Sequence, residues 1–176
     1  MKKQGEKCNG EKCKDQKTED RFDDFVILAH AAYGWMPRIL RIGSVFFDNK
    51  KEILEAVDGL SSFGSSSCNE EKFEEMLKKL KIVAGFTNNS FVGASKFLHF
   101  IYPNLFAIWD SKICKVLQKH IQAHSEIKNA NDMRGFICYQ LAMQKAANDL
   151  ENIELRAIES VLFDSAKDRP STSDDE

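Results

Sequence analysis

No stretch of this 176-residue chain approaches the roughly 20 consecutive apolar residues that cross a bilayer, and its first residues are lysine- and glutamate-rich rather than apolar. Neither a membrane span nor a secretory leader is expected, and the expected location is cytoplasmic. Excess positive charge is missing too. The 25 basic and 27 acidic side chains leave a formal charge of −2 and a pI near 6.1, so nucleic-acid binding through a global field is excluded and any such binding must rest on a local patch. The five cysteines have no framework spacing and read as free thiols in a reducing setting. Cys8 and Cys13 lack the further ligands that a structural zinc needs, with His120 and His124 the nearest candidates, so no metal is expected. Period-two strand patterns and internal repeats are absent as well. What remains is an all-α chain: a single compact multi-helix domain over 21–165, flanked by a disordered charged tail over 1–20 and a disordered acidic tail over 166–176.

The helices follow from apolar spacing. Phe22, Phe25, Val26, Leu28, Ala29 and Ala32 mark a first core helix ending at Tyr33, after which Gly34-Trp35-Met36-Pro37 breaks the chain. Pro37 suits the first turn of a next helix carrying Ile39, Leu40, Ile42 and Val45. A short helix over Lys50 to Val57 precedes a glycine- and serine-rich stretch, Asp58 to Asn69, that reads as an exposed loop. Phe73, Met76, Leu77, Leu80 and Ile82 stripe the helix that Asn69 caps, Asp132 caps another through Phe136, Tyr139 and Leu141, and a last one runs from Leu155 to Phe163.

The informative stretch lies between Asn89 and Cys114, where apolar residues crowd a lysine and an acid that core packing alone does not require. Gly93 is expected to break the chain before a short helix that starts near Ser95 and stops at Pro103-Asn104, which puts Lys96 in its first turn. There the positive end of the helix dipole and the apolar surroundings both disfavour the ammonium form, and a partly neutral amine is a nucleophile. Asp110, opening the next helix, is the complementary acid, able to take a proton or to steady positive charge developing on a sugar ring. The same residues have plainer readings: Lys96 snorkelling to solvent and Asp110 acting as an N-cap.

Val92-Gly-Ala-Ser-Lys96, followed by Phe106-Ala-Ile-Trp-Asp110 and a helix with Ile113, Val116 and Leu117, resembles the centre of the helix-hairpin-helix DNA glycosylases, particularly small proteins with the 8-oxoguanine DNA glycosylase fold. The closing segment Leu155-Arg-Ala-Ile-Glu-Ser-Val-Leu-Phe163 is similar to their last helix. This resemblance implies a helix-hairpin-helix-like centre, with Gly93 and Ser95 at a DNA-backbone hairpin. It makes Lys96 the amine that attacks the sugar C1′ and forms a Schiff base, and Asp110 the assisting acid. Two residues separate Gly93 from Lys96 and no cysteine set matches the iron–sulfur loop of some members, so no cluster or other cofactor is expected.

Lys112, Lys115 and Lys119 recur at three- and four-residue spacing and are candidates for holding DNA phosphates, with a solvated face as the alternative. His99 lies one turn beyond Lys96 as a candidate substrate contact or a satisfied core histidine. Flat readers of an extruded base are Trp109, Trp35, Tyr33 and Phe100. The resulting expectation is a monomeric DNA N-glycosylase acting on duplex DNA with an extruded base, with abasic-site lyase activity through Lys96. The alternatives are a non-catalytic DNA- or nucleotide-binding helical module and a helical protein-binding regulator.

Overall fold

The computed structural model describes residues 10–34, 36–63, 70–120, 129–150 and 153–167. Among these the chain forms eight helices and no strand, and none of the helices is long and apolar enough to cross a membrane. They are α1 Gly10–Tyr33, α2 Ser44–Asp48, α3 Lys50–Gly59, α4 Glu70–Phe86, α5 Phe91–Ile101, α6 Ser111–His120, α7 Met133–Asp149 and α8 Leu155–Lys167. The all-α expectation therefore holds.

α5 is apolar on nearly every side because other elements surround it. α1 and α4 pack against it, α3 packs on both α1 and α4, and α8 packs on α6 and α7. Phe25 and Phe86 meet Phe97 of α5 at ring-centroid distances of 5.6 and 5.5 Å, and Phe91 stacks on Phe136 of α7 at 5.7 Å. Buried rings of this kind supply most of the drive to collapse.

Three elements differ from the sequence reading. Residues 10–20, expected in the N-terminal tail, form the first turns of α1, while 1–9 lie outside the described residues. The helix expected from Pro37 is absent until Ser44, because the backbone in between has another partner. Asn88 accepts from the Arg41 N–H at 2.7 Å and donates to the Ile39 carbonyl at 2.8 Å, and Ile39 faces solvent. Leu40 and Ile42 reach the core from this non-helical backbone, so burial there does not require a helix. The stretch after α3 starts buried rather than exposed: Leu60 and Phe63 join the core, Phe63 lying 4.9 Å from the ring of Phe106. Residues 64–69, including Asn69, lie outside the described residues, as do 168–176.

The turn between α4 and α5 carries the tightest backbone. Asn88 and Asn89 adopt φ of 59° and 53°, the left-handed region that asparagine tolerates better than most residues. Asn131 holds the turn from the other side, accepting from the Phe91 N–H at 3.1 Å and donating to the Asn89 carbonyl at 3.2 Å.

Candidate functional site

α5 begins earlier than its sequence indicated. Ser90 is the N-cap, its hydroxyl accepting from the Gly93 N–H at 3.2 Å, which satisfies one of the orphan donors of a helix start. Gly93 is therefore inside the helix and Lys96 in its second turn. A Cβ at Gly93 meets the Tyr33 hydroxyl oxygen at 2.4 Å, and that hydroxyl donates to the Thr87 carbonyl at 2.6 Å. Glycine stands here to let α1 approach, inside the helix rather than before it. The dipole argument for Lys96 falls away with this, since its effect fades beyond the first turn.

Lys96 is nonetheless perturbed. Burial holds its ammonium below the ordinary lysine range, and the charge of Asp110 only partly opposes this. Among the described residues Lys96 makes no ion pair within 4.0 Å and no side-chain hydrogen bond. It lines a cleft of about 790 Å³ together with Asp110, Arg38, Lys112 and the amide side chains of Asn88, Asn89, Asn129 and Asn131. Three cations against one carboxylate give this cleft a positive balance that the whole chain lacks. Lys96 also lines a smaller hollow of about 260 Å³ with Ala32, His99, Phe100, Pro103, Ile108 and Arg156.

Asp110 caps α6. Its Oδ1 accepts from the N–H groups of Lys112 and Ile113, each at 2.9 Å. This fixes the carboxylate at the cleft while occupying one of its oxygens, so the N-cap reading and the site reading describe the same side chain.

The link from α5 to α6 runs extended without a neighbouring strand, and side chains take the place of one. Gln140 accepts from the Ala107 N–H at 2.8 Å and donates to its carbonyl at 2.7 Å. Ser95 accepts from the Trp109 N–H at 3.0 Å, and its one hydroxyl proton is shared between the Trp109 carbonyl at 3.1 Å and the Val92 carbonyl at 2.9 Å. His99 Nδ1 donates to the Phe106 carbonyl at 2.7 Å, Gln144 to that of Leu105 at 2.7 Å, and Tyr139 to that of Ile108 at 3.2 Å. Burial raises the Tyr139 hydroxyl far above its ordinary range, so it stays a donor. The Ile108 N–H interacts with Glu159 of α8, a nearly fully buried carboxylate that Arg156 meets at 2.6 Å and that burial pushes above the usual carboxylate range.

These bonds reassign several expected site residues. Ser95 has no exposed surface and serves the link, so it is withdrawn as a DNA contact. Trp109 is fully buried, donates from Nε1 to the Ala130 carbonyl at 2.7 Å and packs on Tyr139, so it reads no base. Tyr33 is buried beneath Gly93 and is withdrawn likewise. Trp35 and the side chain of Lys119 lie outside the described residues. Lys112 and Lys115 are exposed, but only Lys112 lines the cleft, with its ammonium also 5.5 Å from the ring of Phe163. His99 keeps a place at the smaller hollow, Nε2 being its unprotonated nitrogen when the ring is neutral. Arg38, the asparagines of the two turns, Arg156 and Glu159 did not stand out in sequence. Asn88-Asn89 was the one readable cue among them, as a pair able to take left-handed φ.

Comparison with protein-family models, curated proteins and solved structures finds no match.

Proposed function

We propose that the protein cleaves the N-glycosidic bond of a base in DNA, with Lys96 as the nucleophile and Asp110 as its acid–base partner. The observation that carries this is Lys96 itself: a half-buried amine whose charge burial disfavours, with no ion pair among the described residues, sharing a positively balanced cleft with a fixed carboxylate. A structural lysine gains a partner or reaches water, whereas a nucleophilic one is held neutral-prone. The likeness of this segment to helix-hairpin-helix glycosylases supports the same reading.

In the proposed reaction Nζ of Lys96 attacks the sugar C1′ as the glycosidic bond breaks, its electron pair leaving with the base, which takes up a proton. Asp110 accepts a proton from the attacking nitrogen and returns it to O4′ as the C1′–O4′ bond breaks with its electron pair on the oxygen, which opens the sugar ring to a protonated imine. Arg38 and Lys112 hold phosphates at the rim.

Borohydride reduction during incubation with duplexes carrying damaged bases or an abasic site tests this. A covalent protein–DNA band that disappears in Lys96→Gln is the expected outcome, and no base release and no band on any duplex would refute it. The capping role of Asp110 favours a second reading, a DNA-binding module without chemistry. In that case binding survives Lys96→Gln, is lost on charge reversal at Arg38 and Lys112, and no duplex is cut.

A further inference from the structure

Lys96 is the residue shared by two spaces of different character. The cleft is broad and mixed, edged by Arg38 and Lys112 with Met36, Pro37 and Val92 among its apolar walls. The hollow has mostly apolar walls, Ala32, Phe100, Pro103 and Ile108, interrupted by His99 and Arg156. At about 260 Å³ it falls just below the roughly 300 Å³ at which pockets for drug-sized ligands begin, a size suited to one or two fused rings. A substrate with its scissile bond at Lys96 extends to both sides of that bond, and only one of these spaces suits each part.

We propose that this hollow binds the nucleobase, and that Arg156 and His99 select a base with a lactam edge, a carbonyl beside a ring N–H. Three observations converge on it. No acid lines the hollow, so the guanidinium of Arg156 has N–H groups left to donate to a carbonyl after its bond to Glu159. His99 spends its Nδ1 proton on the Phe106 carbonyl, so in the neutral ring Nε2 is left as an acceptor for a ring N–H. Beneath the wall, Glu159 Oε2 is buried with no hydrogen-bond partner among the described residues while Oε1 holds Arg156. A buried carboxylate kept in this condition is costly to the fold. Its return is a guanidinium fixed at the hollow, which makes Glu159 a positioning residue for Arg156.

The inference rests on the glycosidic reading for the orientation of the substrate, but ring binding is measurable without catalysis. The full chain is titrated with free hypoxanthine, which has a lactam edge, and with unsubstituted purine, which has none, while backbone amide resonances are followed by NMR. Hypoxanthine is expected to shift the amides of Phe100 and Ile108 to saturation and to bind at least ten times tighter than purine. Arg156→Lys, which keeps the charge but loses the fork, removes that preference. Phe100→Ala weakens both rings at least tenfold, with the thermal midpoint of the variant measured alongside to separate loss of ring binding from loss of fold. Glu159→Gln keeps an acceptor for Arg156 but not the charge, and lowers the preference without abolishing ring binding.

Shifts confined to Val92 and Lys112 in the cleft, or a preference unchanged in Arg156→Lys, overturn the inference. Ring binding in the hollow with no duplex cut sustains it and refutes the glycosidic reading. Duplex cutting whose rate and base choice are unaltered in both Phe100→Ala and Arg156→Lys refutes the hollow alone.

Discussion

From Leu105 to Trp109 every backbone C=O and every N–H but that of Ile108, which lies by Glu159, has a hydrogen-bond partner, and most of those partners are side chains of α5 and α7. One residue along α5 from Ser95, Lys96 faces a cleft with its charge penalised by burial, only partly offset by Asp110 and with no ion pair among the described residues. Both regions lie against the same helix. The link spends six polar side chains to hold its course, and its last residue, Asp110, is thereby delivered to the cleft as the cap of α6. The cleft leaves its central group unsatisfied. Polar groups that close on one another explain a fold; one left poised between two open spaces calls for a substrate.

The strongest break of this contrast comes from the cleft side. Lys96→Met is expected to abolish the reduced protein–DNA band entirely while the thermal midpoint holds or rises, since a half-buried charge that burial disfavours is replaced by an apolar chain of similar length. A fall in the midpoint, read by calorimetry, would mean that Lys96 belongs with the structural side chains. Asp110 splits along the same line. Asn caps a helix about as well as Asp, so Asp110→Asn should keep the fold and lose base release by about 10²–10⁴-fold. Asp110→Ala should lose the same activity and about 1 kcal/mol of stability as well.

On the link side the effects are on stability. Ser95→Ala leaves the N–H and carbonyl of buried Trp109 without partners and is expected to cost about 2–3 kcal/mol in denaturant unfolding. Gly93→Ala brings a methyl to 2.4 Å from the Tyr33 hydroxyl oxygen and should cost about 1–3 kcal/mol. Adding Tyr33→Phe removes the nearest atom, so the double variant should lose less than the sum of the two single changes. Strict additivity would mean that α1 and α5 do not meet as described.

The division between link and cleft also governs what sequence revealed. Periodicity placed α4, α7 and α8 and the Asp132 cap, because those signals are local. It brought Lys96 and Asp110 forward as a pair, and they do line one cleft. It failed for Pro37 to Gly43, where a side chain about 50 positions away along the chain takes the backbone bonds. Ser95, Trp109 and Tyr33 failed as candidate contacts for the same reason: their partners are set by tertiary packing, and a serine that pairs with a backbone looks in sequence like one that pairs with a phosphate. Glu159 carried no sequence signal, since nothing near it in the chain tells that α8 buries it.

The smallest expected effect is on pH dependence, and it has opposite signs in the two regions. Burial lowers the folded-state value of Lys96, so between that value and the ordinary lysine value the unfolded chain binds more protons, and stability rises with pH. Burial raises the folded-state value of Glu159. There the folded chain binds more protons between the ordinary carboxylate value and the raised one, so stability falls as pH rises through that window. Glu159→Gln should therefore flatten the decline in thermal midpoint from acidic toward neutral pH and leave the alkaline rise in place. Lys96→Met should remove the alkaline rise and leave the decline. A Glu159→Gln profile that overlays the parent through the carboxylate window would mean that Arg156 and the Ile108 N–H fully offset the burial of this carboxylate, and the link would then be balanced at its one unpaired oxygen as it is everywhere else.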